Sequence, residues 1–112
     1  MPTLDAEATR LLDEIRRVFD VSEAQLADLF KVQRTSVIGW REHGIPRTRR
    51  ASVERLYDLA GVLEREVIPS RIPEIVRTAD AWLGGRTMLE TIREEGAEVV
   101  YAYLHRLFAY AG

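Results

Sequence analysis

Apolar residues recur every three or four positions along most of the chain, and nowhere does a stretch alternate in the two-residue rhythm of a strand. Residues 4–19 set Ala8, Leu11, Leu12, Ile15, Val18 and Phe19 on one stripe, with Asp5, Glu7, Asp13, Glu14, Arg16 and Arg17 elsewhere, which predicts a first helix. Ser22-Glu23-Ala24-Gln25 reads as a capping box, in which the serine hydroxyl accepts from the amide three residues on. It opens a short helix that ends near Phe30, and Lys31-Val32-Gln33 follows as a tight connector. A third helix runs from Arg34 to about Glu42, buries Val37 and Trp40, and stops at His43-Gly44 with Gly44 as a left-handed cap and Pro46 beyond.

A fourth helix is expected to start at a Thr48 cap and to carry Val53, Leu56, Tyr57, Ala60 and Leu63 on one face. The stretch from Ile68 to Arg86 contains Pro69, Pro73, Gly84 and Gly85 and reads as a loop with at most one short helical turn. Thr87-Met88-Leu89-Glu90 is a second capping box, and Gly96 separates its helix from a last one over residues 97–110. That last helix is expected to bury Val99, Val100, Tyr103, Leu104, Leu107 and Phe108. The expected fold class is all-α, with an N-terminal module over residues 1–66 and a C-terminal module over 67–112.

A chain of 112 residues holds one compact domain or two very small ones sharing a core. Its apolar runs are too short to span a bilayer, it opens with no signal-like segment, and it has no cysteine for a disulfide or thiolate site. Those features lead to the expectation of a cytoplasmic protein without a membrane partner. The net charge of −2 argues against nucleic acid only if charge is evenly spread. It is not. Residues 31–55 hold seven cations against two carboxylates, a local +5 that leaves −7 for the remainder.

That basic segment coincides with the capped helix, short turn and second short helix, the layout of a helix-turn-helix. Such a unit puts the start of its second helix in the major groove of duplex DNA. The outward residues there are Gln33, Arg34, Thr35, Ser36 and Ile38, types suited to guanine, adenine and the thymine methyl. Gly39 lies on the same face, and a glycine inside a helix costs about 1 kcal/mol against alanine, which close approach to DNA would explain. Lys31, Arg41, Arg47, Arg49 and Arg50 are placed to hold phosphates.

The segment from Ser22 through Val37, Trp40-Arg41-Glu42-His43-Gly44 and Pro46 resembles an Xre-type helix-turn-helix. Ile72-Pro73-Glu74-Ile75-Val76-Arg77-Thr78 and then Leu83-Gly84-Gly85-Arg86-Thr87-Met88-Leu89-Glu90 resemble the Xre/MbcA/ParS toxin-binding domain, with Met88 where that family has proline. The resemblance covers about residues 20–110 and implies the antitoxin of a type II toxin–antitoxin pair. It implies a C-terminal module that neutralises a RES-domain, NAD-consuming toxin and an N-terminal module that represses the shared operon. By analogy, toxin contacts fall to Arg77, Gly84, Gly85, Arg86 and Thr87 and to the last helix, where Tyr103 and Tyr110 are named.

Without the resemblance, the final helix reads as core packing, a dimer interface or a partner surface, and nine aromatics exceed what so small a core must hide. Gly84-Gly85-Arg86-Thr87 reads as a tight turn more readily than as a phosphate cradle, since no Gly-Lys-Ser/Thr follows. Asp80 and Arg86 are a candidate ion pair, and Glu94, Glu95 and Glu98 a solvated acidic face. His43 and His105 have no nucleophile or metal-ligand cluster around them, so no catalytic residue, metal or cofactor is expected. The expected partners are operator double-stranded DNA, bound by a homodimer at inverted half-sites, and a RES-domain toxin. The competing readings are a stand-alone repressor whose C-terminal module only dimerises, and an adaptor with a vestigial helix-turn-helix.

Overall fold

The computed structural model describes residues 4–111, with side chains described through residue 109. The first helix, α1 (Ala6–Phe19), begins where Asp5 accepts a 2.8 Å bond from the Ala8 amide and ends at Asp20 in the left-handed conformation. The Ser22–Gln25 capping box forms as its sequence predicts, with both reciprocal bonds closed, and starts α2 (Glu23–Leu29). A turn leads to α3 (Arg34–His43), and Gly44 then takes φ +96° and ψ 160°. That is an extended glycine conformation rather than the left-handed cap expected there, and it still excludes a side chain, because a Cβ would meet the Asp5 carboxylate at 3.2 Å.

The long α4 (Arg47–Glu66) starts one residue before Thr48, directly after Pro46, so Thr48 is not its cap. The segment expected to be mostly loop is instead folded into short turns. A 3-10 turn over Pro69–Arg71 runs into α5 (Ile72–Val76), and a second covers Ala81–Leu83. Pro69 and Pro73 favour this because each stands at the start of its own turn, where a missing N–H costs nothing. The Thr87–Glu90 capping box opens α6 (Met88–Glu95), and Gly96 leads into α7 (Ala97–Ala111). Among the described residues no strand forms, and the fold is all-α.

One apolar cluster runs through the whole fold, from Leu12, Ile15 and Phe19 of α1 through Leu26, Val37, Leu56 and Leu63 to Ile72, Val76, Ile92 and Val100. Helix α1 packs on α3, α4 and α5, α2 on α6, and α4 on α7. Residues on either side of position 66 therefore share a single core. Arg77 adds a polar clamp between them, donating to the carbonyls of Phe19 at 2.8 Å, Asp20 at 2.6 Å and Pro73 at 2.9 Å. In α7, Val100, Tyr103 and Leu104 are buried, whereas Leu107, expected on the same stripe, is exposed. Among the described residues no helix is long and apolar enough to cross a membrane.

Candidate nucleic-acid interface

The α2–turn–α3 unit is rigid for reasons legible in its side chains. Leu26 and Ala27 of α2 and Val37 and Trp40 of α3 are buried, and the Phe30 and Trp40 rings meet edge to face with centroids 5.7 Å apart. The turn is closed by amide-to-carbonyl bonds from Phe30 and Val32 to Ala27 and from Lys31 to Asp28. Lys31 sits at φ +55°, a conformation that non-glycine residues seldom adopt. From α4, Arg49 donates to the Phe30 carbonyl at 3.2 Å and ties the turn to the next helix.

Gln33, Arg34 and Thr35 lie exposed at the start of α3, with Ser36, Ile38 and Gly39 half-buried behind them. Gln33 makes no capping bond, so no side chain occupies the first amides of α3. A Cβ built on Gly39 would meet nothing within 4 Å, so no protein contact demands the glycine.

The basic residues separate into two groups once their partners are seen. Arg41, expected on phosphate, is turned inward: its side chain is 12% exposed and binds Glu23 at 2.8 and 2.9 Å and Asp13 at 2.7 Å. Burial works against its charge, but the bonds from Glu23 and Asp13 outweigh that and hold the guanidinium above its ordinary pKa. It is a brace between α1, α2 and α3 and not a free phosphate contact. Arg50 pairs with Glu7 and Glu54, Arg55 with Glu98, and Lys31 lies 3.9 Å from Glu94. Among the described residues, Arg34, Arg47 and Arg49 are the cations of the basic segment without a carboxylate partner. The local +5 is thus mostly neutralised, and what remains is concentrated at the start of α3 and of α4.

The C-terminal residues named from the resemblance also divide. Asp80 organises the turn: its carboxylate accepts from the Trp82 amide at 2.8 Å and from the Tyr103 hydroxyl at 2.6 Å. Its backbone amide donates to the Arg86 carbonyl at 3.1 Å, so Asp80 and Arg86 are joined through the main chain rather than as the expected ion pair. Arg86 donates to the Leu83 carbonyl at 3.1 Å and pairs with Glu95. The Thr87 hydroxyl is the α6 cap, accepting from the Glu90 amide at 3.0 Å. Tyr103 is buried at 7% exposure, and burial with its bond to Asp80 pushes the phenol up to about 12. Arg77 is consumed by its three carbonyls. Arg77 and Tyr103 therefore serve the fold and are not presented to a partner. Gly84 and Gly85, at φ +70° and +81°, remain exposed at the tip of the turn. The Tyr110 side chain lies outside the described residues.

Sequence reasoning missed Trp82, which is 64% exposed beside those glycines, with the Arg106 guanidinium 5.6 Å from its ring centre. Its signal was its position inside a polar, turn-forming string, where a tryptophan has no helical stripe to join.

No protein-family model, curated protein or solved structure matches the chain.

Proposed function

We propose that the protein is a helix-turn-helix DNA-binding regulator that also acts as an antitoxin. The carrying observation is the coincidence of Gln33, Arg34 and Thr35, exposed on a rigidly seated helix, with Arg34, Arg47 and Arg49 as the cations without carboxylate partners. Arg34 and Gln33 supply the bidentate donors and acceptors that base edges in the major groove require, and Arg47 supplies charge for a flanking phosphate. A homodimer then reads two half-sites one helical turn apart.

The antitoxin half of the proposal rests on the resemblance of the Ile72–Glu90 string to the Xre/MbcA/ParS toxin-binding domain. The exposed Gly84–Gly85 turn at the head of the capped α6 supports it, because this turn is open to a protein surface. In this reading the C-terminal part masks a RES-domain toxin, and the N-terminal part represses the operon that encodes both.

Two measurements test the proposal. Footprinting on the DNA upstream of the protein's own reading frame should give protection with inverted symmetry. Co-expression with the product of the adjoining reading frame should relieve toxicity and yield a stable complex. Protection without a toxic neighbour would leave a stand-alone repressor. Absence of protection at any salt would remove the DNA-binding half.

A further inference from the structure

The most exposed aromatic surface of the described chain is a groove of about 420 Å³ between the Asp80–Leu83 turn and α7, lined by Asp80, Trp82, Tyr103 and Leu107. Trp82 is 64% and Leu107 45% exposed, although the core has no shortage of apolar positions that could have taken them. Large aromatic side chains left in water at a concave site are characteristic of protein interfaces. The polar groups of the groove are already assigned. Asp80 is saturated by Trp82 and Tyr103, so its charge does not repel an incoming carboxylate as an unsatisfied one would. Arg106, stacked on Trp82, has no carboxylate partner among the described residues and is the one cation at the groove's rim.

We infer that this groove is where the proposed toxin partner docks, through an apolar side chain seated between Trp82 and Leu107 and a neighbouring carboxylate held by Arg106. The inference rests on the antitoxin reading and sharpens it, moving the principal contact away from Arg77 and Tyr103, which the fold consumes. The complementarity also selects against a second copy of the chain. A two-fold contact centred on the groove would bring Arg106 against its own counterpart, placing like charges in a drying interface. Nothing in the groove itself supplies the carboxylate to relieve that.

The test is co-expression of the adjoining reading frame's product with the full chain, with Trp82→Ala/Leu107→Ala, with Arg106→Glu and with Arg106→Lys. The expected result is loss of neutralisation in the first two variants, at least a tenfold fall in affinity for the purified partner, and recovery with Arg106→Lys. Operator binding and homodimer mass should stay at parent values. In the unaltered chain, Trp82 emission should shift to the blue on adding the partner, a readout that needs no substitution because Trp40 is buried throughout. A double variant that neutralises as well as the parent, an unshifted emission in a formed complex, or loss of homodimer mass with the partner still bound would each overturn the inference. If the parent chain itself neutralises nothing, the antitoxin reading falls and the docking site falls with it.

Discussion

The Tyr103 hydroxyl donates a 2.6 Å hydrogen bond to the Asp80 carboxylate, joining the middle of α7 to the turn that presents Gly84 and Gly85. The same carboxylate accepts from the Trp82 amide, and the Asp80 carbonyl accepts from Leu83 and Gly85. One aspartate therefore sets the shape of the turn, and one tyrosine fixes the turn to the core.

Tyr103→Phe is expected to cost about 1–2 kcal/mol, since it removes a bond to a charged acceptor and keeps the ring's packing. The phenol ionises near 10.0 when free and near 12 in the fold, so the native state holds its proton more tightly than the unfolded chain. That contribution is complete below pH 10 and disappears as the pH rises from about 10 to about 12. Denaturant midpoints across that range should fall more steeply for the parent than for Tyr103→Phe; parallel curves would refute the assignment.

Gly39→Ala should separate fold from function. With open space around the added Cβ and helical backbone, alanine is expected to raise stability by about 0.5–1 kcal/mol. If the outer face of α3 lies against DNA, the same methyl should reduce operator affinity several-fold. Raised stability with unchanged affinity would show that this face does not approach DNA.

Arg34→Ala should cost about 1–3 kcal/mol of binding at the preferred operator and relax discrimination at one base position. Arg47→Ala should weaken all duplexes alike and reduce the slope of affinity against salt by about 1. Arg47 is the cleaner probe of phosphate contact than Arg49, whose loss also frees the Phe30 carbonyl and loosens the turn. Titration of matched and scrambled duplexes at several salt concentrations distinguishes the two patterns.

Arg41→Ala is expected to destabilise the fold by about 1–3 kcal/mol, leaving Glu23 and Asp13 without their shared cation. Once the loss is compensated by working at lower temperature, operator affinity should be near the parent value. A reduced salt slope with unchanged stability would return Arg41 to the phosphate-binding set.

Both capping boxes, the ends of α1 and α2 and the burial of Val37 and Trp40 were readable because each depends on residues within about one turn of one another. The Pro69–Leu83 stretch was read as loop because its helices span only three to five residues, too short for a periodic stripe to show. Leu107 follows the apolar spacing of α7, yet the core ends before reaching it.

The sequence by itself determined the helical class, the helix-turn-helix order and the concentration of charge at residues 31–55, all products of local spacing and composition. Only the tertiary structure decided which of those charges remain without a carboxylate. Arg41 finds Glu23 eighteen residues away, Arg50 finds Glu7 across forty-three, and Arg77 reaches Asp20 across fifty-seven. An arginine's role depends on what its long side chain meets, and that is set by how α1, α4 and α5 pack rather than by its neighbours in the chain.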